Sequence, residues 1–338
     1  MSNTIKTVLF NLLTTLILIV VIEAFLAFLM HHPSWIPGIG RPYFRQHYQA
    51  NDRSIMQVSE CGQYDSVLFY KLRPGSCIFE NYEFSTQVNV NHVGLRDDEE
   101  SLNYPQMLFL GDSHTIGWGV GEGECFPQVL GEQTSIRGLN AGMSSYGTAR
   151  QMILLKRLML DSVRVVVIQY HENDFEENTT FLENNFNLPV RSSQEYDSIK
   201  ALHGHRTDYY PFKHLYGLTK AVGLRMARGE RPIRNAVEEA TLFLRILDRH
   251  APALGNARII VLKMDLIKFL NDDFANAVDS LKSTSQFPNL RNVETLRISN
   301  VLNEDDFFIL DEHMNTRGHK KIADALRRQI LQEAVTDF

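Results

Sequence analysis

From Thr7 to Met30 the chain is mostly Leu, Ile, Val and Phe, with no Lys or Arg. A helical run of that length spans a bilayer core of ~30 Å. A cleavable signal peptide has a shorter apolar stretch and a small-residue cleavage site. Here the apolar run continues to Phe28-Leu29-Met30 and ends at His31-His32, which predicts an uncleaved transmembrane anchor over residues 1–32, touching the lipid bilayer through residues 7–30. Glu23 falls inside the run, where a carboxylate is costly. The pattern favours a carboxyl group displaced toward the headgroups over one committed to a helix–helix contact.

After the anchor the pattern changes. Residues 33–104 hold turn signals and short alternating runs such as Phe84 to Val93, with no long helical pattern. They read as a linker or strap that packs on the domain at 105–338. Within that domain, strand-like runs fall at 107–111, 136–140, 164–170, 258–264 and 293–298. Met107-Leu108-Phe109-Leu110 is apolar throughout, as in a strand buried on both faces of a parallel sheet. Helical spacing appears at 148–160 and 236–247. Strands alternating with helices predict an α/β domain whose parallel sheet is covered on both faces. The stretch 179–232 breaks the rhythm and reads as an insertion near the carboxyl ends of the strands, where it shapes a substrate entrance or forms a lid. The basic cluster Arg225 to Arg234, interrupted by Gly229, Glu230 and Pro232, reads as a solvated loop.

Composition narrows the classes. A net charge of −6 with scattered basic residues argues against nucleic acid as a partner. Cys61 and Cys77 flank a short polar and aromatic segment and form a disulfide candidate, which needs an oxidising compartment. Cys125, beside Phe126, reads as a buried free thiol. The alternating Gly117, Gly119, Gly121 and Gly123 lack the Gly-Lys-Ser/Thr of a phosphate loop. His203 and His205 have no carboxylate or cysteine at ligand spacing and read as a solvated loop. No cofactor and no metal is implied.

The chemistry-bearing block is Gly111-Asp112-Ser113-His114-Thr115, at the carboxyl end of the first strand, where open α/β sheets build their sites. With Gly117-Trp118-Gly119-Val120, Phe126-Pro127 and the earlier Val93-Gly94-Leu95-Arg96-Asp97, it resembles the SGNH (GDSL-type) hydrolases, in particular their membrane-anchored bacterial members. The resemblance implies a three-layer α/β/α domain with a flavodoxin-like, five-stranded parallel sheet, and a catalytic domain facing the periplasm from an inner-membrane anchor. It implies Ser113 as the nucleophile and an oxyanion hole from the Ser113 N–H, the Asn173 side chain and a second-block N–H. That second block resembles Asn140 to Gly147. The glycine that usually supplies the donor aligns with Ser145, with Gly142 as the alternative.

Acyl transfer by serine needs a base and oxyanion donors. The base candidate is His313, on a loop before the last helix, whose expected N-cap is Asn315 or Thr316. Asp311 is assigned to orient the imidazole, with Asp306 as substitute. The position three before the histidine, where the resembled family often carries its acid, is Leu310. His114 and His171 are assigned to the substrate pocket, and His319 to structure. The expected activity is a serine esterase acting on a small acyl ester through an acyl-enzyme. The alternatives are an O-acetyltransferase acting on an envelope glycan, so that the substrate is an O-acylated glycan, and a non-catalytic carbohydrate-binding or assembly protein on the same fold.

Overall fold

The structure, a computed structural model, describes residues 3–227, 234–265, 270–290 and 292–334. Most of the basic cluster at 225–234 therefore lies outside the described residues. Its last member, Arg234, pairs with Glu176 at 3.0 Å.

The chain opens with helix α1, Asn3–His31, followed by α2, Arg41–Asn51. Two antiparallel hairpins come next: β1 (Gly62–Asp65) with β2 (Phe69–Leu72), and β3 (Gly75–Glu80) with β4 (Ser85–Val90). Cys61 and Cys77 are disulfide-bonded and Cys125 is free and buried. The sheet strand β5 (Met107–Leu110) leads into the short helix α3 (Ser113–Ile116) and then α4 (Phe126–Thr134). Then follow β6 (Gly138–Asn140), α5 (Thr148–Leu154), β7 (Val165–Tyr170), α6 (Asp174–Glu183), α7 (Ser193–His203), α8 (Lys213–Ala227) and α9 (Ala236–His250). The chain closes through β8 (Arg258–Lys263), α10 (Asp273–Leu281), β9 (Val293–Thr295) and α11 (Thr316–Ala334).

The five strands β6-β5-β7-β8-β9 pair in parallel, in the flavodoxin-like order 2-1-3-4-5. Each lies within the stretch that forecast it. Alternate residues feed two cores, because side chains of a strand alternate between its faces. Leu108, Leu110, Val166 and Ile168 pack with Phe243 of α9 and Phe274 of α10. Met107, Phe109 and Val167 pack with Leu130 of α4 and Leu326 of α11. The result is helix, sheet, helix, with the order reversing between β5 and β7, the crevice where such sheets bind ligands.

Two expectations need correction. Residues 33–104 contain an eleven-residue helix, α2, despite the absence of a long helical pattern. Its buried positions are Phe44, His47 and Tyr48, two of them polar-tipped, so its buried face did not register as an apolar stripe. Glu23 makes the contact with another helix that the pattern disfavoured. It is buried, and its carboxylate accepts the N–H groups of His214 and Leu215 at 3.0 and 2.8 Å. The first N–H groups of a helix have no partner inside it and lie at its positive end, so the start of α8 is a natural seat for this charge. The insertion helices pack on the N-terminal segment: α8 on α1 and α2, and α7 on the β1–β2 hairpin.

Candidate active site

The turn after β5 is held from both neighbouring strands. Asp112 donates its N–H to the Gln169 side chain of β7 at 2.9 Å, and Met143, beyond β6, donates to the Gly111 carbonyl at 3.0 Å. Only glycine fits at 111, since a Cβ there would meet Thr115 Oγ1 at 2.1 Å and Gln169 Oε1 at 2.6 Å. Asp112 caps α3 by accepting the His114 N–H at 3.0 Å. Ser113 thus starts α3 and is buried. Arg96, from the strap motif, is itself buried. It donates to the carbonyls of Ile116 at 3.1 Å, Val120 at 2.7 Å and Gly117, bracing the segment behind the serine.

The second half of the site arrives from the loop before α11. Asn315 caps that helix, accepting the N–H groups of Arg317 and Gly318 at 3.0 and 3.2 Å. The loop brings His313 Nε2 to 2.8 Å from Ser113 Oγ, while Nδ1 bonds Asp311 Oδ1. Pairing Nδ1 with a carboxylate assigns the ring proton to Nδ1 and leaves Nε2 as acceptor for the serine hydroxyl. Burial disfavours a charged His313, but the Asp311 carboxylate outweighs it and the pKa is raised above the ordinary 6.5. Asp311 is desolvated too, yet His313 and its hydrogen bonds hold its carboxyl below the ordinary range. Asp306, the substitute acid, lies elsewhere, pairing with Lys321 at 2.6 Å and Arg317 at 2.8 Å.

Three residues that hold this loop escaped the sequence reading. Tyr48 of α2 and Trp118 both donate to Asp311 Oδ2, the indole at 3.0 Å. Trp118 also stacks on the His313 ring, 4.6 Å between centroids and 17° from parallel. Glu83, in the β3–β4 turn, accepts the N–H groups of Ile309, Leu310 and Asp311 at 2.8, 2.6 and 2.6 Å. Burial pushes its pKa up to about 7. The strap therefore contributes directly to the geometry of the acid loop. Trp118 sits in the quoted Gly-Trp-Gly block, but nothing local marks Tyr48 or Glu83, whose partners are 263 and about 228 residues away.

His114 lies beside His313 at 4.9 Å and stacks against His171 at 5.8 Å. Burial, then the neighbouring His313 and His171, hold its pKa well below the ordinary value, so it stays neutral. Its Nδ1 is buried without a partner. His171 approaches Asp265 at 3.9 Å. Asn173 is the N-cap residue of α6, exposed, with its N–H donated to His171 Nδ1 at 3.2 Å. Ser145 is exposed and holds φ at +61°, the left-handed region that glycine enters freely. The serine thus adopts the backbone that the aligned glycine would supply. The Gly142 N–H is occupied by Asn140 Oδ1 at 3.0 Å, and a Cβ at 142 would strike Ile116 N at 2.5 Å, so this glycine serves packing. His203 and His205 join no metal-ligand cluster among the described residues. His319 is buried, its Nδ1 accepting the Phe126 N–H at 3.2 Å.

No protein-family model matches the chain, and no curated protein matches it. Among solved structures it is similar to G-D-S-L lipolytic proteins and carbohydrate esterases. A lipolytic protein of the G-D-S-L family from Desulfitobacterium hafniense aligns at 14% identity over 66% of this chain and 98% of its own, with a TM-score of 0.33. A G-D-S-L lipolytic protein from Veillonella parvula aligns at 14% identity over 65% of this chain and 94% of its own, with a TM-score of 0.32. A family two carbohydrate esterase from Clostridium thermocellum, in complex with cellohexaose, aligns at 9% identity over 68% of this chain, with a TM-score of 0.42. The chain spans 64% of that esterase's length.

Proposed function

We propose that the chain is a serine hydrolase of the SGNH kind, built as a three-layer domain behind an N-terminal anchor. More particularly, it is a membrane-anchored esterase that cleaves an O-acyl bond through an acyl-enzyme. The observation that carries this reading is the hydrogen-bonded series Ser113 Oγ, His313 Nε2, His313 Nδ1, Asp311 Oδ1, the arrangement that activates a serine for acyl transfer. His313 takes the Ser113 proton as Oγ attacks the ester carbonyl. The Asp311 carboxylate stabilises the imidazolium so formed. The oxyanion is received by the N–H groups of Ser113 and Ser145 and the Asn173 amide. His313 then returns the proton to the departing alcohol, leaving acyl-Ser113. Water, deprotonated by the same imidazole, adds to that ester and releases the acid, restoring the serine hydroxyl. His114, held neutral by burial, lines the approach with His171.

The 29-residue helix α1, apolar and long enough to cross a membrane, supports single-pass anchoring. The Cys61–Cys77 disulfide supports a periplasmic domain, since thiols stay reduced in the cytoplasm. The test is hydrolysis of short-chain aryl esters by the full chain in detergent, with Ser113→Ala and His313→Ala beside it. Wild-type turnover with a burst of acyl-enzyme, absent from both variants, is the expected result. Equal turnover in wild type and Ser113→Ala refutes the assignment.

A further inference from the structure

Around residues 23–28 of α1 the domain presents a collar of exposed aromatic side chains. Tyr209, Tyr210 and Phe212 lead directly into the first turn of α8, which is tied to α1 through Glu23. Tyr216 follows within that turn, and Trp35 meets Phe28 edge-on at 5.7 Å. Tyr209, Tyr216 and Trp35 are 61%, 63% and 70% exposed. Isolated apolar residues on a surface are ordinary, but these gather at one level of a helix whose earlier surface, from Val8 to Ile22, is itself exposed and apolar.

The level can be counted. At ~1.5 Å per residue, ~30 Å of hydrocarbon measured from Lys6 reaches about residue 26. Glu23 then lies just inside the hydrocarbon, where a carboxylate needs partners, and those partners are the N–H groups opening α8. The start of α8 must therefore come down to the membrane with Glu23. Tyr and Trp favour this boundary because a ring with a polar tip suits a medium apolar on one side and wet on the other.

We propose that the catalytic domain is seated on the bilayer through this collar, a lipid contact additional to the membrane span. Tyr209, Tyr210, Phe212, Tyr216 and Trp35 lie among the headgroups, with the upper acyl chains as their partner. The inference rests on the anchoring by α1 proposed above. Because His214 of α8 bonds His47 of α2 at 3.0 Å, and the next residue, Tyr48, bonds Asp311, the seat also sets the height of the site above the lipid.

The experiment uses the full chain in vesicles of phosphatidylcholine brominated near the top of the acyl chains. In a Trp35→Phe background, Tyr209→Trp and Tyr216→Trp are introduced one at a time, with Leu16→Trp, read in a second set of vesicles brominated near the chain ends, as reporter of the span. Trp35→Phe alone supplies the baseline from buried Trp118. Two collar positions guard against one variant failing to fold. Quenching of both collar tryptophans, and of Trp35 in the wild type, is the expected result. Collar tryptophans that emit as in water, unquenched while Leu16→Trp is quenched, overturn the seat but leave the anchor standing; so does their protection by self-association of the chain. An unquenched Leu16→Trp overturns the anchor itself.

Discussion

Replacing Asp311 with asparagine probes the site where its geometry is most constrained. Asp311 Oδ2 already receives two donors, the Tyr48 hydroxyl and the Trp118 indole N–H at 3.0 Å. The new amide keeps its carbonyl toward them, so its NH2 faces His313 Nδ1. Two donors cannot share that bond, and the imidazole proton moves to Nε2. Nε2–H then points at Ser113 Oγ as a donor, and the base is lost without disturbing the fold. In the Ser-His-Asp template the same exchange costs ~10⁴ in kcat, or ~5.5 kcal/mol, and that is the loss expected here. Tyr48→Phe, by contrast, keeps the charge and the His313 bond and removes one donor to a carboxylate, ~1.5–3 kcal/mol. The assay is steady-state hydrolysis of an aryl ester over a pH series. In the wild type His313 must be neutral to act as base, so kcat/KM falls as pH drops through its raised pKa, above 6.5. Asp311→Asn removes the carboxylate that raises it, so the acidic limb moves to lower pH. A variant within tenfold of wild type, or an unmoved limb, refutes the assigned role of Asp311.

Gly111→Ala drives a methyl onto Thr115 Oγ1 at 2.1 Å; a loss of ~1–3 kcal/mol in thermal unfolding is expected, with kcat falling more than KM changes as Ser113 shifts. Glu83→Ala strands three N–H groups of the acid loop and lowers stability by ~3 kcal/mol. Burial raises the Glu83 pKa to about 7, so the folded state holds its proton more tightly than the unfolded chain. Its contribution is full below pH ~4.5 and declines as pH rises through about 7, so denaturant titration should show the Ala deficit shrinking by ~2–3 kcal/mol between pH 5 and 8. Equal deficits at the two pH values contradict this. Reduction of Cys61–Cys77, which closes a loop of separation 16, lowers unfolding free energy by ~3 kcal/mol. Cys61→Ser/Cys77→Ser should show the same loss and no response to reductant.

What was legible in the chain is what neighbouring residues decide. The central strands β5, β7 and β8 are largely apolar runs, Ser113 follows the first of them and His313 precedes the last helix, so most of the sheet and the dyad could be read locally. Asp311 was readable because it is two residues from its partner. Glu23, Tyr48 and Glu83 were not, because each acts on a segment about two hundred residues away. Burial of Glu23 depends on α8 being present to receive it, a fact with no trace in the residues around position 23. The Ser145 backbone lay between these cases: alignment marked a glycine position, and φ of +61° shows how serine fills it.

The bond from Tyr48 to Asp311 joins a residue made early to one made nearly last. Synthesis runs from the amino end, so Ser113, His313, Asp311 and Tyr48 cannot come together until all but the final helix has been made. A chain stalled partway holds Ser113 without His313 beside it. The site forms only after residue 313 has been made, and on the proposed function ester cleavage is then among the last properties the protein acquires.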